Sequence, residues 1–382
     1  MKKLNEKRWQ RFSMNNVFNI GHGFYNKKPP MSPNGTVPFI GASGINNGIT
    51  GFCTMQAVRD NSKVGYGPNE PIKRKLFDGG SICVVNNGSV GYSYYQPKQF
   101  TCTHDVNPLT LRNHEVSEDE ALFLSQMIRE QGVCFTYARK WRPSRMVRSQ
   151  FLLPVDDDGE PDYDYMAQYV SEMRGGVLMR YKNYVAGQLS QLEYKDIPAL
   201  DEKEWAKFHA FGNEGLFDIA TTGSGIDGIR IIDGATKKIP YVTRTDSNNG
   251  IARFVSDKNL SYGSDDAGCI TVGLDTQTAF WQPHLFVTGQ NIQVITGPQL
   301  NEWLAQFLIP LFRNQMKAKF NWGGNGATLG RMKRLELMLP INSEGKPDYA
   351  YMEQYAKNMM LRKYEKYLAF IDKQNAAEEV TV

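Results

Sequence analysis

The sequence predicts an α+β protein made of two similar halves, each a mixed, β-rich domain followed by a long helix. Three observations predict this fold class. Short segments of the first half recur in the same order in the second half, as expected of duplicated structural units. Each half ends in apolar residues at helical spacing. The part ahead of each long helix is rich in Gly, Asn, Pro and Thr, which is typical of strands joined by turns.

Length and composition agree with this architecture. The 382 residues suffice for two or three domains, and 41% hydrophobic with 22% charged residues is ordinary for a globular protein with a packed core. No apolar run approaches the ~18 residues of a membrane helix, and the charged N-terminus lacks the apolar stretch of a signal peptide. We therefore expect a cytoplasmic location without membrane contact.

The repeat is clearest near the end of each half. Residues 153–166 match residues 339–352 without a gap, and the match continues through Gln168-Tyr169 and Gln354-Tyr355. Other islands are Trp9-x-x-Phe12 with Trp205-x-x-Phe208, 17–20 with 216–219, 38–40 with 240–242, 46–49 with 248–251, 94–97 with 280–283, and Arg145-Met146 with Arg331-Met332. Because the spacing between copies drifts, we expect the halves to differ by loop insertions.

A helix is predicted inside each β-rich part. In the first half it covers about residues 118–131, where Ser117 precedes three acidic residues and is a suitable N-cap. Its counterpart runs from about 299 to 316, with Pro298 as the helix opener and Pro310 as the site of a kink or break.

The long helices follow Pro161-Asp162 and Pro347-Asp348, because proline suits the first turn and an acid suits a helix N-terminus. One apolar stripe per helix permits the two helices to pair as an antiparallel coiled coil; the alternative is that each packs on its own domain. Gly175-Gly176 should weaken the first helix. The predicted divisions are a domain at 1–160, a helix at 161–195, a domain at 196–346 and a helix at 347–382.

Several repeated features carry a family resemblance. They are the Trp-x-x-Phe islands with their following apolar runs, the Pro-aromatic-Ile/Val…Asn-Asn-Gly-Ile segments, and residues 79–84 leading to Gly88-Ser89-Val90-Gly91. Over essentially its whole length the chain resembles the specificity subunits of type I restriction–modification systems and the related type IIB recognition subunits. The second half departs from the pattern, since it has no copy of Gly-Ser-Val-Gly.

The resemblance implies two target-recognition domains that each read one half of a split double-stranded DNA target. It also implies spacer helices that set the gap and bind methyltransferase subunits, with a nuclease subunit as a further partner. The chain itself would then be a non-catalytic subunit. Independently, a helix of roughly 42 Å spans about 12 base pairs, so two domains on such a spacer would address sites about one DNA turn apart.

Basic residues are the candidates for DNA contact, because phosphate contacts supply affinity and base contacts supply specificity. The densest run lies just before residues 153–166, and a looser set, which includes Trp322, occupies the same place in the second half. The alternative for each residue is an ordinary solvated surface. The candidates are Lys73, Arg74, Lys75, Arg139, Lys140, Arg142, Arg145, Arg148, Arg244, Arg253, Lys317, Lys319, Arg331, Lys333 and Arg334.

The repeated Asn-Asn-Gly segments have two interpretations. Asn side chains can pair with adenine in the major groove, and Arg244 and Arg253 flank the second copy. Asn-Asn-Gly is equally a strong turn signal, because Asn and Gly accept positive φ. We favour the turn.

Catalytic and cofactor motifs are not evident, and we predict no cofactor and no metal site. The five cysteines form no C-x-x-C pair and are expected to be buried thiols. The sequence at 223–228 fits G-x-G-x-x-G but lacks a following helix pattern, which disfavours nucleotide binding. Two other hypotheses stay open: a DNA-modifying enzyme with an unrecognised motif, and a tandem β-rich module that binds sugars or proteins.

Overall fold

The structure is a computed structural model that describes residues 2–135, 139–320 and 326–379, with side chains described as far as residue 373. It divides into two compact units, Met1–Tyr181 and Lys182–Val382. Within the described residues, no helix combines the length and the apolar composition that crossing a membrane requires.

The first unit contains nine strands and five α-helices among its described residues. The strands are β1 (Trp9–Ser13), β2 (Phe18–Ile20), β3 (Val37–Ile40), β4 (Ile49–Cys53), β5 (Ser81–Val85), β6 (Ser93–Gln96), β7 (Thr101–Cys102), β8 (Val106–Leu111) and β9 (Gln150–Pro154). The helices are α1 (Met14–Val17), α2 (Met55–Asp60), α3 (Glu118–Gly132), α4 (Pro143–Met146) and α5 (Tyr163–Leu189), of which α5 ends in the second unit.

The second unit repeats this order of strands. They are β10 (Trp205–His209), β11 (Asp218–Thr221), β12 (Ile239–Val242), β13 (Ile251–Val255), β14 (Cys269–Gly273), β15 (Thr278–Gln282), β16 (Val287–Thr288), β17 (Ile292–Thr296) and β18 (Glu336–Pro340). Its helices are α6 (Glu302–Lys319), α7 (Leu329–Met332) and α8 (Tyr349–Glu379).

Sheet topology confirms the duplication. The first unit has sheets ordered β2-β8-β5-β6 and β4-β3-β7 plus the pair β1-β9; the second has β11-β17-β14-β15, β13-β12-β16 and β10-β18. In each unit the three-stranded sheet holds one parallel pair, β3·β7 or β12·β16. The register shifts at the same step, Phe39/Ile40 or Tyr241/Val242. The predicted α+β class with two similar domains is correct.

Helix starts follow side-chain caps more than prolines. Ser117 caps α3 as predicted, and Glu120 returns the bond to complete a capping box. The prediction that Pro298 opens the other helix is wrong, because Asn301 accepts from the N–H groups of Trp303 and Leu304 and α6 starts after it. Pro310 was predicted to kink or split this helix; it does not split it, since α6 continues through Pro310, and a kink stays a prediction.

A three-residue latch fastens each long helix to the beginning of its unit. Asp162 accepts from the backbone N–H of Tyr165 and pairs with Lys7, whose ammonium lies 4.8 Å from the Tyr165 ring centroid. The Tyr165 hydroxyl donates to the carbonyl of Lys2 at 3.0 Å. The sequence signal was the repeated Pro-Asp pair.

The same latch recurs in the second unit, built from Asp348, Lys203 and Tyr351. The Lys203 ammonium lies 2.9 Å from Asp348 and 4.8 Å from the Tyr351 ring, and the Tyr351 hydroxyl donates to Pro198 at 2.9 Å. Burial raises the pKa of each aspartate, but the lysine hydrogen bond, the tyrosine N–H and the lysine charge outweigh it and hold both pKa values below the usual range.

The first turns of each long helix belong to the core of their own unit. Met166 and Val170 of α5 pack in the first core, and Tyr351 and Met352 of α8 pack in the second. The glycine pair Gly175-Gly176 does not interrupt α5.

Farther along, the end of α5 meets α8 inside the second unit. Lys182 pairs with Asp372 at 2.8 Å, and the rings of Tyr184 and Tyr364 meet edge to face at 6.4 Å. Beyond α5 the Glu193 carbonyl accepts from Gln354, so the segment and α8 run in opposite directions. Pairing of the two helices along their full length stays a prediction.

Candidate nucleic-acid interface

The densest basic run lies between α3 and β9 and is held by a buried aromatic. Trp141 is fully buried, its ring is 4.8 Å from that of Phe135 at an interplanar angle of 11°, and its indole N–H donates to the Ser149 hydroxyl at 2.9 Å. Trp141 therefore anchors the segment and leaves its cations outside. Arg139, Arg142, Arg145 and Arg148 are exposed, and Lys140 is half-buried.

One arginine of this run performs the same task in both units. Arg145 donates to the carbonyl of Lys140 at 2.8 Å, and Arg331 donates to the carbonyl of Gly326 at 3.0 Å. Each bond closes the loop ahead of a four-residue helix, α4 or α7. These repeated arginines therefore shape the loop that presents their neighbours.

The remaining cations of the second basic segment lie at helix ends. Lys317 and Lys319 end α6 and are exposed, as are Lys333 and Arg334 after α7, while Arg331 is half-buried. Trp322 falls outside the described residues. The structure thus brings a basic surface to the same topological position in both units.

A cleft of about 750 Å³ opens beside the basic run of the first unit. One of its cations, Arg11 of β1, was not among the predicted DNA contacts, although the repeated Trp-x-x-Phe islands both carry a cation at their third position, Arg11 and Lys207. The lining includes Arg11, Gln131, Cys134, Phe135, Arg139, Arg145, Arg148 and Gln150, with Glu130 as its carboxylate.

The cluster at 73–75 divides between surface and interior. Lys73 and Arg74 are exposed on a short 3₁₀ helix, Ile72–Arg74. Lys75 is fully buried, and its ammonium donates to the carbonyls of Arg59 and Asn61 at 2.9 and 2.8 Å and to the Asn69 side chain. Its three donors are therefore used inside the protein, and the prediction that Lys75 contacts DNA is wrong.

Arg244 and Arg253 of the second unit have partners of their own. Arg244 forms an ion pair with Asp275. Arg253 donates to the Gly228 carbonyl at 3.0 Å and lies 5.7 Å from the Tyr241 ring centroid. Both side chains hold loops in place, so a DNA contact by either would have to be shared with these bonds.

The Asn-Asn-Gly segments are turns, as predicted. Asn47 and Asn249 have φ of 52° and 56°, and the following glycines have φ of 75° and 77°. The two asparagine side chains donate to the carbonyls of Tyr95 and Trp281, at 2.9 and 2.7 Å. These amides tie the turn to the neighbouring sheet and are not presented for base contacts.

A second arginine repeats between the two units and was not among the predicted DNA contacts. Arg129 of α3 lies 5.7 Å from the ring of Tyr94, and Arg313 of α6 lies 5.5 Å from the ring of Phe280, at matching positions of the two copies. Arg129 also lies 4.6 Å from the exposed Tyr92. Arg313 instead pairs with Asp246. The signal was the repeated aromatic pair at 94–95 and 280–281.

Other chemistry considered from the sequence finds structural explanations. Residues 223–228 lead into a 3₁₀ helix, Gly228–Arg230, and both the Thr222 hydroxyl and the Gly223 N–H donate to Asp265. The glycines therefore do not open an α-helix as a dinucleotide site requires. In the described part of the chain, no three His, Cys, Asp or Glu residues are grouped as metal ligands would be.

The cysteines are mostly interior, with one exception. Burial raises the pKa of the Cys53, Cys83, Cys102 and Cys269 thiols. Cys134 is exposed and lines the cleft, so the prediction that all five are buried is wrong for it.

Comparison with known proteins identifies a family whose model matches this chain. The model of the type I restriction modification DNA specificity domain matches residues 6–174 and again residues 216–367. A curated relative, the type II restriction enzyme BgcI specificity subunit S.BcgI of Heyndrickxia coagulans, is 33% identical over 193 residues, or 50% of this chain and 49% of that protein. The chain therefore aligns with about half the length of this relative.

The matches to two solved structures extend over nearly the whole chain. The type I restriction-modification system S subunit from M. genitalium is 14% identical, with a TM-score of 0.49, and the match covers 99% of this chain and 96% of that one. The HsdS subunit from Thermoanaerobacter tengcongensis is 11% identical, with a TM-score of 0.28, over 96% and 91% of the two chains. The family assignment rests on the sequence matches.

Proposed function

The chain belongs to the family of type I restriction modification DNA specificity domains, and from this membership we propose that it is the DNA-recognition subunit of a restriction–modification complex. The observation that carries the proposal is the duplicated specificity domain with an exposed basic segment at the same topological position in each copy, at 139–148 and at 317–320 with 326–334. Each unit would contact one half of a split double-stranded target.

The target is bipartite and asymmetric under this proposal. Two domains joined in one chain address two half-sites at a fixed spacing. The loops beside the basic segments differ between the units, so the half-sites differ in sequence as well. Recognition, and not catalysis, is the role of this chain, which works in the cytoplasm where the chromosomal DNA lies.

Methyltransferase subunits are the proposed protein partners, with a nuclease subunit in systems that also cleave. The side chains of Met173 and Val177, which are four residues apart and so share one face of α5, are 52% and 54% exposed. Exposed apolar side chains on a helix are typical of surfaces that a partner covers. We expect a methyltransferase subunit to cover this stretch of α5.

The test is to co-express the chain with a methyltransferase encoded beside its gene and to map methylated bases across the host genome. The expected result is methylation at one motif of two unlike half-sites with a fixed gap. Exchanging residues 196–346 for the matching part of another family member should change one half-site and leave the other. Absence of any motif, with the methyltransferase shown to be active in the same cells, contradicts the proposal.

A further inference from the structure

The strand pair at the base of each unit has the same register but carries different charges. Trp9 faces Pro154 in β1·β9, and Trp205 faces Pro340 in β10·β18. The cation at the third position of each repeat, Arg11 or Lys207, therefore has the same diagonal neighbour on the opposite strand. That neighbour is Gln150 in the first unit and Glu336 in the second.

In the second unit, the Glu336 carboxylate offsets the positive charge of this surface. Glu336 forms a 2.7 Å ion pair with Lys207 and lies 4.0 Å from His209. The hydrogen bond from Lys207, followed by the charges of Lys207, His209 and Lys319, lowers the pKa of Glu336. Glu336 is therefore ionised at neutral pH and offsets the cations around it.

In the first unit the same position is neutral. Gln150 carries no charge, and Arg11 is exposed without an ion pair in the ranges that the structure describes. Arg11 shares its cleft with Arg139, Arg145 and Arg148. The one carboxylate in the lining, Glu130, accepts a 2.7 Å hydrogen bond from Gln126.

We propose that this arginine cleft binds backbone phosphates of the DNA, and that the first unit thereby holds the DNA backbone more strongly than the second unit, where Glu336 offsets the cations of the matching surface. The inference rests on the proposed function and deepens it. Arginine suits the task because its planar guanidinium bonds phosphate oxygens in pairs. Each phosphate neutralised releases counterions, so anchoring makes affinity salt-dependent.

Two isosteric exchanges test the asymmetry in opposite directions. Gln150→Glu places a carboxylate beside Arg11, and Glu336→Gln removes the one beside Lys207. Gln191→Glu is the control, because it makes the same charge change at an exposed position that belongs to neither strand pair. Affinity of the full chain, with its methyltransferase bound if the chain needs it, is measured by fluorescence anisotropy on a labelled duplex of arbitrary sequence over a range of NaCl concentrations.

Gln150→Glu should lower the slope of log affinity against log salt by about 0.9 and weaken binding roughly fivefold to tenfold at moderate salt, as for one lost phosphate contact. Arg11→Gln with Arg148→Gln should lower the slope by about 1.8. Glu336→Gln should strengthen binding, and Gln191→Glu should leave the slope unchanged.

Equal effects of Gln150→Glu and Gln191→Glu, with duplex binding retained, overturn the cleft assignment and leave the proposed function standing. Failure of the unchanged protein to bind any duplex overturns the proposed function itself. Circular dichroism of every variant verifies the fold.

Discussion

The two units share the contacts that set the path of the backbone and differ in the charges they present outwards. The latch of Asp162 has its copy at Asp348, and the turn at Asn47 has its copy at Asn249. The pair Arg11 and Gln150, by contrast, is replaced by Lys207 and Glu336. The difference teaches that one scaffold can be kept while its surface chemistry is changed by single residues.

The units also differ in how a sheet meets its helix. In the first unit, a loop follows β5 and brings Gly91 against Gly132 of α3, so closely that a Cβ on either would lie 2.6 Å from the Cα of the other. In the second unit, β14 and β15 form a tight hairpin whose ladder reaches Gly273 and Thr278. The glycine contact is therefore a property of the first unit.

The largest expected effect comes from filling that contact. Gly132→Ala should destabilise the first unit by about 1–3 kcal/mol, because backbone atoms must move apart. Hydrogen exchange should show faster opening of α3 and unchanged protection of α6. Gly175→Ala is the control, since nothing lies within 4 Å of its Cβ, and it should stabilise α5 by about 0.5–1 kcal/mol. Unchanged exchange in α3 would show that the close approach is not required.

Removing the latch should lower the free energy of unfolding by the same amount in either unit. Asp162→Ala and Asp348→Ala each remove an N-cap and a lysine partner, with an expected loss of about 1–2 kcal/mol. Exchange at the first turns of α5 and α8 measures the loss locally. Asp164→Ala is the control, because the matching position of the second unit is already Ala350. A loss confined to one unit would show that the repeated geometry hides unequal energetics.

The latches predict that the free energy of unfolding falls in acid. Both aspartates have lowered pKa values in the folded chain, so the unfolded chain binds protons first as the pH falls. Their contribution is complete above about pH 4, the ordinary carboxylate range, and is lost as the pH drops through the folded values. The double variant Asp162→Asn with Asp348→Asn should flatten the dependence of unfolding free energy on pH in this range. An unchanged profile would assign acid sensitivity to other groups.

The smallest effect is expected when glycine replaces asparagine at the Asn-Asn-Gly turns. Asn47→Gly and Asn249→Gly keep a residue that accepts positive φ and remove one hydrogen bond each, for about 0.5–1.5 kcal/mol. The matching alanine variants add the strain of a left-handed backbone, about 1–2 kcal/mol more. Urea unfolding, together with hydrogen exchange measured at β6 and β15, would distinguish the lost hydrogen bond from the backbone strain. Equal losses for glycine and alanine would argue against strain at these positions.

Much of the scaffold was predictable from local signals. Ser117 marks the start of α3 because its hydroxyl caps the helix locally, and Pro-Asp marks both long helices for the same kind of reason. The start of α6 was misplaced because Pro298 is a plausible opener in sequence. Only the structure shows that the Asn301 side chain takes that role.

The candidate interface was less predictable because charge does not reveal burial. In the sequence, Lys75 belongs to a basic cluster of the kind expected on a surface. In the structure its ammonium donates to oxygens from residues 59–69, which a sequence pattern does not bring together. Arg11 looks like an isolated cation until β1 pairs with β9 and places it beside the arginines of another segment. Both errors come from contacts between distant parts of the chain.

Because β1 pairs with β9, and β10 with β18, the chain enters and leaves each globular part at the same place. The chain enters on one strand and leaves on the strand hydrogen-bonded to it. A segment whose ends are neighbours can be excised, transplanted or circularly permuted with little disturbance to what lies outside it. Each unit therefore has the geometry of an exchangeable cassette, and under the proposed function a gene that recombines at these strands would acquire a new half-site in one step.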